Sequence, residues 1–347
     1  MRKPRIIPAF RDSLEHEQQH EHWKAALKNA VRSPEVLLNR LGLDPSGVDL
    51  APDFPVRVPE PYLARMRPND PKDPLLRQVL SLEEERMDAP GYRTDALEEA
   101  DATRAPGLLQ KYAGRCLLIT TPACAVHCRY CFRRHFPYAD HEPGHHAAAL
   151  TEIEADTSLS EVILSGGDPL VMEDTPLERV LDRLDAMPHI RRIRLHTRLP
   201  IVIPQRVTEH LLNALRGLKS RVVMVVHCNH ARELDATTLQ AFERLHSAGV
   251  TLLNQAVVLR GVNDSISAQV ALAEALHEQR VLPYYLHLPD RVVGTQHFDV
   301  EASEAQRLMR DVHAQLPGYL VPRLVREIPG QTGKSPIYWT TERTNPL

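Results

Sequence analysis

The chain has 347 residues, the size of one large domain or two ordinary ones; its 43% hydrophobic and 25% charged residues exclude a disordered or fibrous chain. Lys plus Arg total 42 against 45 for Asp plus Glu, a net charge of −3, so there is no overall basic footprint for nucleic acid. No apolar run reaches the ~18 residues of a membrane span, and the basic start Met1-Arg2-Lys3-Pro4-Arg5 leads into charged sequence rather than a signal peptide. The expectation is a cytoplasmic protein with neither a membrane nor a nucleic-acid partner.

Residues 1–109 read as an N-terminal helical region. His16, His20 and His22 lie in a charged run where His16 and His20 could chelate a metal at i, i+4, although a solvated helix face is the simpler reading. Trp23 reads as a packing anchor. Ser33 followed by Pro34 marks a helix start, with the serine as N-cap and the proline at the first helical position. Arg67 to Pro74 is dense in breakers and predicts an extended, solvent-facing connection.

From 110 to 340 the pattern changes to an α/β rhythm. Short β-branched runs at Cys116–Thr120, Val162–Ser165, Ile193–His196, Val222–His227, Leu252–Val258 and Pro283–His287 predict strands. Amphipathic stretches at Pro176–Met187, Glu209–Leu218, Asp235–Ala248, Ser267–Glu278 and Ala302–Leu316 predict the helices between and after them. Steps of about 30 residues are the size of βα units, and no GxGxxG follows the first strand, so a (β/α)6 partial barrel fits better than an open doubly wound sheet. His145 and His146 follow a Pro-Gly turn and read as exposed. A last apolar stretch, Leu320–Val325, precedes Pro329-Gly330-Gln331-Thr332-Gly333-Lys334.

Barrel chemistry sits where strands end, and the unusual residues gather there. Cysteines follow the first strand, Gly166-Gly167-Asp168 the second and Thr197-Arg198 the third; His227 ends the fourth, Asp290 follows the sixth and Lys334 the last. Five cysteines are too few for a disulfide scaffold, and Cys116 and Cys228 read as small core residues. Cys124, Cys128 and Cys131 form Cys-x3-Cys-x2-Cys on a loop, a soft donor set for an iron–sulfur cluster, or for zinc with His127 or His135 as a fourth ligand. Three thiolates around a four-iron cluster leave one iron open to an external chelate. Gly333-Lys334-Ser335 mimics the end of a P-loop, but Ile328 stands where a glycine is required and Pro336 opposes a helix start.

Cys124-Ala125-Val126-His127-Cys128-Arg129-Tyr130-Cys131 resembles the signature of radical S-adenosylmethionine enzymes. Asp70-Pro71 with Asp73-Pro74, Cys131-Phe132-Arg133-Arg134, Gly166-Gly167-Asp168-Pro169-Leu170, His196-Thr197-Arg198-Leu199-Pro200, Arg260-Gly261-Val262-Asn263-Asp264 and the Pro329 to Lys334 segment resemble, in the same order, the lysine 2,3-aminomutases. The resemblance runs from about 65 to 340. It implies a [4Fe-4S] cluster on Cys124, Cys128 and Cys131, with S-adenosylmethionine bound at the open iron and touched by Gly166, Gly167, Asp168, His227 and Gln255. It further implies pyridoxal 5′-phosphate held by Lys334 as a Schiff base, with Arg115 on its phosphate. Arg133 would grip the substrate carboxylate, while Asp290 and Glu327 would hold the distant ammonium of lysine. The second of those positions is more usually Asp, so Glu327 is a departure of one methylene.

The expected activity is conversion of L-lysine to β-lysine, and within the family the resemblance is to the short bacterial branch whose (R)-β-lysine is attached to translation elongation factor P. Partners implied are a flavodoxin or ferredoxin as electron donor and the ligase that modifies the factor. The alternatives are an aminomutase acting on glutamate or another amino acid, which the Asp290 and Glu327 pair argues against, and a zinc-stabilised binding protein.

Overall fold

The computed structural model describes residues 22–141 and 146–339; His16, His20 and His145 lie outside them. The first described element is helical at 22–28, where Trp23 is fully buried with the Arg206 guanidinium 4.5 Å above its ring, the packing anchor expected. Helix α1 (Pro34–Leu41) starts as its sequence demands: Ser33 Oγ accepts from Val36 N at 3.3 Å, Pro34 opens the helix, and Gly42 at φ 67° ends it.

Ten strands form one sheet in strictly sequential order. They are β1 (Thr103–Ala105), β2 (Leu108–Tyr112), β3 (Arg115–Thr121), β4 (Glu161–Gly166), β5 (Arg192–Thr197), β6 (Arg221–Val226), β7 (Thr251–Val257), β8 (Leu282–His287), β9 (Arg323–Arg326) and β10 (Ser335–Pro336). β3 to β9 run parallel, while β1, β2 and β10 add antiparallel edges. Helices α2 (His146–Ala155), α3 (Asp174–Asp185), α4 (Glu209–Arg216), α5 (Ala236–Ser247), α6 (Ile266–Glu278) and α7 (Ala302–His313) follow β3 to β8 in turn. Among the described residues that makes six βα units and a seventh parallel strand, with no pairing between the two ends of the sheet. The expected partial barrel is present. Its six predicted strands lie within one residue of their observed ends.

Side-chain alternation decides what faces where. On β5, Ile193 and Leu195 are buried in the apolar layer beneath the helices, while Arg194 and His196 line the interior. Likewise on β4, Val162 and Leu164 face out into that layer, and Glu161, Ile163 and Ser165 face in. An ordinary closed barrel packs its interior with branched apolar residues. Here the inward set mixes charged and polar side chains with a few apolar ones such as Leu117, Ile163 and Val257, and the sheet curls around a cavity of about 450 Å³.

Four expectations need correction. The N-terminal region is not purely helical, because β1 and β2 form a hairpin on the sheet edge, and the expected boundary at 109/110 falls inside β2. The Arg67 to Pro74 stretch is solvent-facing at Arg67, Pro68, Asn69, Pro71 and Lys72, as expected, but it is anchored at its end rather than open. Asp73 is fully buried, caps the turn at Pro74–Arg77 and pairs with Arg232 at 2.5 Å. The last apolar stretch, Leu320–Val325, is strand only in its second half: Gly318–Leu320 takes a 3-10 turn, and β9 begins at Arg323. His146 is half-buried, with its Nε2 3.1 Å from Ile119 O, rather than exposed.

Candidate active site

The cavity runs the length of β3, which at ~3.3 Å per residue is roughly 20 Å. Arg115 stands at the start of that strand, and the cysteine loop follows its end. All thirteen residues singled out from the sequence line this one cavity: Cys124, Cys128, Cys131, Gly166, Gly167, Asp168, His227, Gln255, Arg115, Arg133, Asp290, Glu327 and Lys334. Arg115 is the exception to the strand-end rule, because it enters at the opposite end of the barrel from the cysteines.

The cysteine loop has no regular secondary structure, so its shape depends on what holds it. His127 N donates to Arg57 O at 3.0 Å and Arg129 N to Gln78 O at 2.8 Å, both from the N-terminal region. Arg129, fully buried, pairs with Glu85 and donates to Phe54 O at 2.6 Å, and Arg134 reaches the same Glu85 at 2.8 Å. On its other flank the loop touches the Gly-Gly-Asp turn. Gly167 N donates to Thr121 O at 2.7 Å and Asp168 N to Ala123 O at 2.8 Å. A Cβ on Gly167 would lie 2.2 Å from Ala123 O, and Gly166 has φ +114°, so both positions need glycine to let the two loops meet. Asp168 is buried and ties this turn to β5, accepting from Thr197 Oγ1 at 2.6 Å and Arg198 N at 2.7 Å. Burial pushes its carboxyl up, against those hydrogen bonds.

Burial also raises the thiols of Cys124 and of Cys131, the latter to about 11, so a bound cation is what would make them thiolates. Cys128 has a built-in cation: Arg198 Nη1 donates to its Sγ at 2.8 Å. Arg198 Nη2 is held by Tyr62 Oη at 3.1 Å, Gln78 Oε1 at 2.7 Å and Glu233 Oε2 at 2.8 Å, so the guanidinium is fixed in a buried net. Among the described residues no three His, Cys, Asp or Glu side chains converge as a single-ion site. His127 and His135, the zinc candidates, do not line the cavity; each has a ring nitrogen on a backbone carbonyl, at 2.7 Å to Pro55 O and 3.0 Å to Val293 O. Neither candidate histidine supplies the fourth ligand a zinc site would want, and the soft donor set of three thiols suits an iron–sulfur cluster.

Three histidines face the middle of the cavity: His287 is buried and His196 and His227 are half-buried, and the Nε2 of each is shut from solvent without a hydrogen-bond partner. Burial, helped by nearby cations, lowers all three, His227 to about 4, so they are neutral imidazoles with a free nitrogen. Orphaned polar atoms in an enclosed site are what a polar ligand would satisfy. The rings of Tyr284 and Tyr285 lie 3.8 Å apart, tilted by 36°, beside them, and the Lys334 ammonium lies 5.9 Å over Tyr285. Arg115 packs on Tyr112 at 4.5 Å and has no ion pair among the described residues.

Lys334 is placed by hairpin register. β10 pairs antiparallel with β9 through Ser335 and Arg326, which sets Lys334 opposite Glu327. Lys334 Nζ donates to Glu327 Oε2 at 2.7 Å, and Lys111 Nζ to Glu327 Oε1 at 3.0 Å. Burial opposes ionisation of Glu327, yet the two ammoniums win and hold it down at about 2. Asp290 lines the same cavity, within reach of the charges of Glu327, Lys334 and Lys111. Burial and the Glu327 charge push it up to about 7. Arg133 is buried and already engaged: its Nε and Nη2 donate to Glu99 at 2.7 Å each and its Nη1 to Ser165 Oγ at 3.1 Å. Sequence reasoning missed Glu99 and Lys111, and gave no role to Arg198, His196 or His287.

Comparison with known proteins shows the family. The profile of the radical SAM superfamily matches residues 118–268, the span from β3 to α6 that carries the cysteine loop. Over 324 residues the chain is 45% identical to the L-lysine 2,3-aminomutase of Escherichia coli (strain K12), covering 91% of this chain and 94% of that one. It is 41% identical over 325 residues to the L-lysine 2,3-aminomutase of Haemophilus influenzae, covering 92% and 96%. The enzyme of the same name from Clostridium subterminale is 33% identical over 322 residues, covering 91% of this chain and 77% of its own. With its three cavity-facing thiols, its Lys334–Glu327 hairpin and likeness over nine-tenths of its length, the chain belongs to the lysine 2,3-aminomutase family of radical SAM proteins.

Proposed function

We propose that this protein is an L-lysine 2,3-aminomutase that works with a [4Fe-4S] cluster, S-adenosylmethionine and pyridoxal phosphate, and that its product is (R)-β-lysine destined for translation elongation factor P. The observation that supports this most is that three thiols, one amine nucleophile, an arginine with free N–H groups and two carboxylates line one cavity in a chain of this family. Bound there, the cluster and S-adenosylmethionine supply hydrogen-atom abstraction, and pyridoxal phosphate supplies the electron-accepting group across which an amino nitrogen moves between adjacent carbons.

The chain's own residues have definite tasks. Cys124, Cys128 and Cys131 hold the cluster, and Arg198 offsets the charge gathered on Cys128. His196, His227, His287 and Gln255 offer neutral polar groups to the cofactors without adding charge. Arg115, with no acid partner among the described residues, suits a phosphate dianion at the far end. Lys334 would hold pyridoxal phosphate through its amine, and Glu327 would then keep Lys111 on one oxygen and have the other for a ligand. Arg133 has used three of its five N–H groups, and the other two are available to an α-carboxylate. Asp290 and Glu327 then meet the side-chain ammonium of lysine. A glutamate side chain would bring a third carboxylate against them, which is why the glutamate reading is disfavoured.

A reducing compartment suits cysteines held for a cluster, and the cytoplasm, a flavodoxin or ferredoxin as donor and the elongation-factor ligase as product acceptor complete the proposal. Among the described residues no helix is long and apolar enough to cross a membrane. The test is anaerobic incubation of the reconstituted protein with L-lysine, S-adenosylmethionine, pyridoxal phosphate and dithionite, followed by chiral mass spectrometry. The expected product is (R)-β-lysine, absent with Lys334→Ala. The (S) product would contradict the elongation-factor assignment, as would fully modified factor in cells lacking the protein, and no β-lysine from a reducible cluster would contradict the substrate.

A further inference from the structure

The two ends of the proposed substrate pocket are joined by a ladder of alternating charge. Arg133 is held by Glu99 through both carboxylate oxygens, at 2.7 Å each; Glu99 Oε1 lies 3.6 Å from Lys111 Nζ. Lys111 Nζ in turn donates to Glu327 Oε1 at 3.0 Å, and Glu327 Oε2 accepts from Lys334 at 2.7 Å. All five side chains line the same cavity. Glu99 lies just before β1, Lys111 is on β2, Arg133 is on the cysteine loop, and Glu327 and Lys334 flank the β9–β10 turn. The ladder therefore bridges the two ends of the sheet, from the β1–β2 hairpin to the β9–β10 hairpin, and ties both to the cysteine loop.

Each of the two inner rungs does a specific thing. Glu99 takes Nε and one N–H of Nη2 from Arg133, the side edge of the guanidinium, while Ser165 takes one N–H of Nη1. What remains is one N–H on each terminal nitrogen, the pair that matches a carboxylate. Lys111 is the cation that stays on Glu327 when Lys334 departs, and it occupies one oxygen only. The other oxygen is then open to a distal ammonium.

We propose that Glu99 and Lys111 are positioning residues that set the distance between the carboxylate-binding end and the ammonium-binding end of the site, and so select a diamino acid by its chain length. The proposal rests on the assignment of Arg133 and Glu327 to the two ends of lysine. It predicts discrimination between L-lysine and L-ornithine, which is one methylene shorter; in a fitted pocket such a difference is worth ~10–200-fold.

The test is kcat and KM of the loaded enzyme on L-lysine and L-ornithine for wild type, Glu99→Gln, Lys111→Met and Lys111→Arg, with iron and pyridoxal content measured for each. Glu99→Gln and Lys111→Met should raise KM for lysine on the order of tenfold with kcat nearly unchanged, because each loosens a charged hydrogen bond that holds a binding group. Both should also narrow the lysine-to-ornithine ratio, and Lys111→Arg should restore both values. Cofactor-loaded variants with the wild-type ratio would overturn the proposal, as would an arginine variant no better than the methionine one. If Lys111→Met or Glu99→Gln fails to load, Lys111→Arg and Glu99→Asp decide instead: the shifted carboxylate of the latter must change the ratio. Wild type that makes no β-lysine at all would remove the underlying assignment and this proposal with it, whereas β-lysine made with an unmoved ratio removes only this one.

Discussion

Asp290 is the residue whose chemistry the cavity alters most usefully. Its carboxyl is pushed up to about 7 by burial and by Glu327, so below that pH it is a neutral acid in the free enzyme. A neutral acid gives little to an ammonium ion. We therefore expect kcat/KM for lysine to fall about tenfold per pH unit below about 7, a limb that Asp290→Asn abolishes together with most of the affinity; a pH profile of both proteins checks it. Gly167 carries a second expectation. An added methyl there would sit 2.2 Å from Ala123 O, so Gly167→Ala must displace the cysteine loop, and the iron content of the reconstituted protein should drop by more than half while the fold persists. The thiols and Lys334 were legible in the sequence because spacing and neighbours mark them. Glu99 and Lys111 were not, since Arg133 meets Glu99 across 34 positions and Lys111 meets Glu327 across 216. Ion pairs at such separations leave no local pattern.

Among the elements, the irregular cysteine loop and the N-terminal region explain each other. The loop borrows its hydrogen bonds from Arg57, Gln78 and Phe54, and its arginines converge on Glu85, itself buried. In sequence Glu83-Glu84-Glu85-Arg86 looks like one solvated charge run, and nothing in it sets the third glutamate apart. The fold does: Glu85 is the partner of both Arg129 and Arg134. Glu85→Gln leaves two buried guanidiniums short of charge, and should destabilise the protein by about 3–5 kcal/mol in denaturant titration. The same variant should lose cluster binding more readily on dilution. The strands, in contrast, were legible to within one residue, because parallel strands under helices must carry outward apolar positions at period two. The β1–β2 hairpin was missed because its strands are short and its inward residues, Leu109 and Lys111, share no single character.

The whole molecule is a barrel left open and lined with charge. Six βα units supply the wall, the antiparallel edges carry Lys111 and Lys334 inward, and the N-terminal region fixes the loop that bears the thiols. A closed barrel of ordinary composition would have packed this interior with Val, Ile and Leu. With every proposed binding group in one cavity, lysine should stay bound there while its nitrogen moves from Cα to Cβ. Turnover of an equimolar mixture of [α-15N]lysine and [13C6]lysine, with the β-lysine analysed by mass spectrometry, decides whether it does. Every 15N atom is expected at Cβ of a 12C skeleton. β-Lysine carrying 15N on a 13C skeleton would mean that the amine leaves and returns through solution, and would contradict a single-cavity migration.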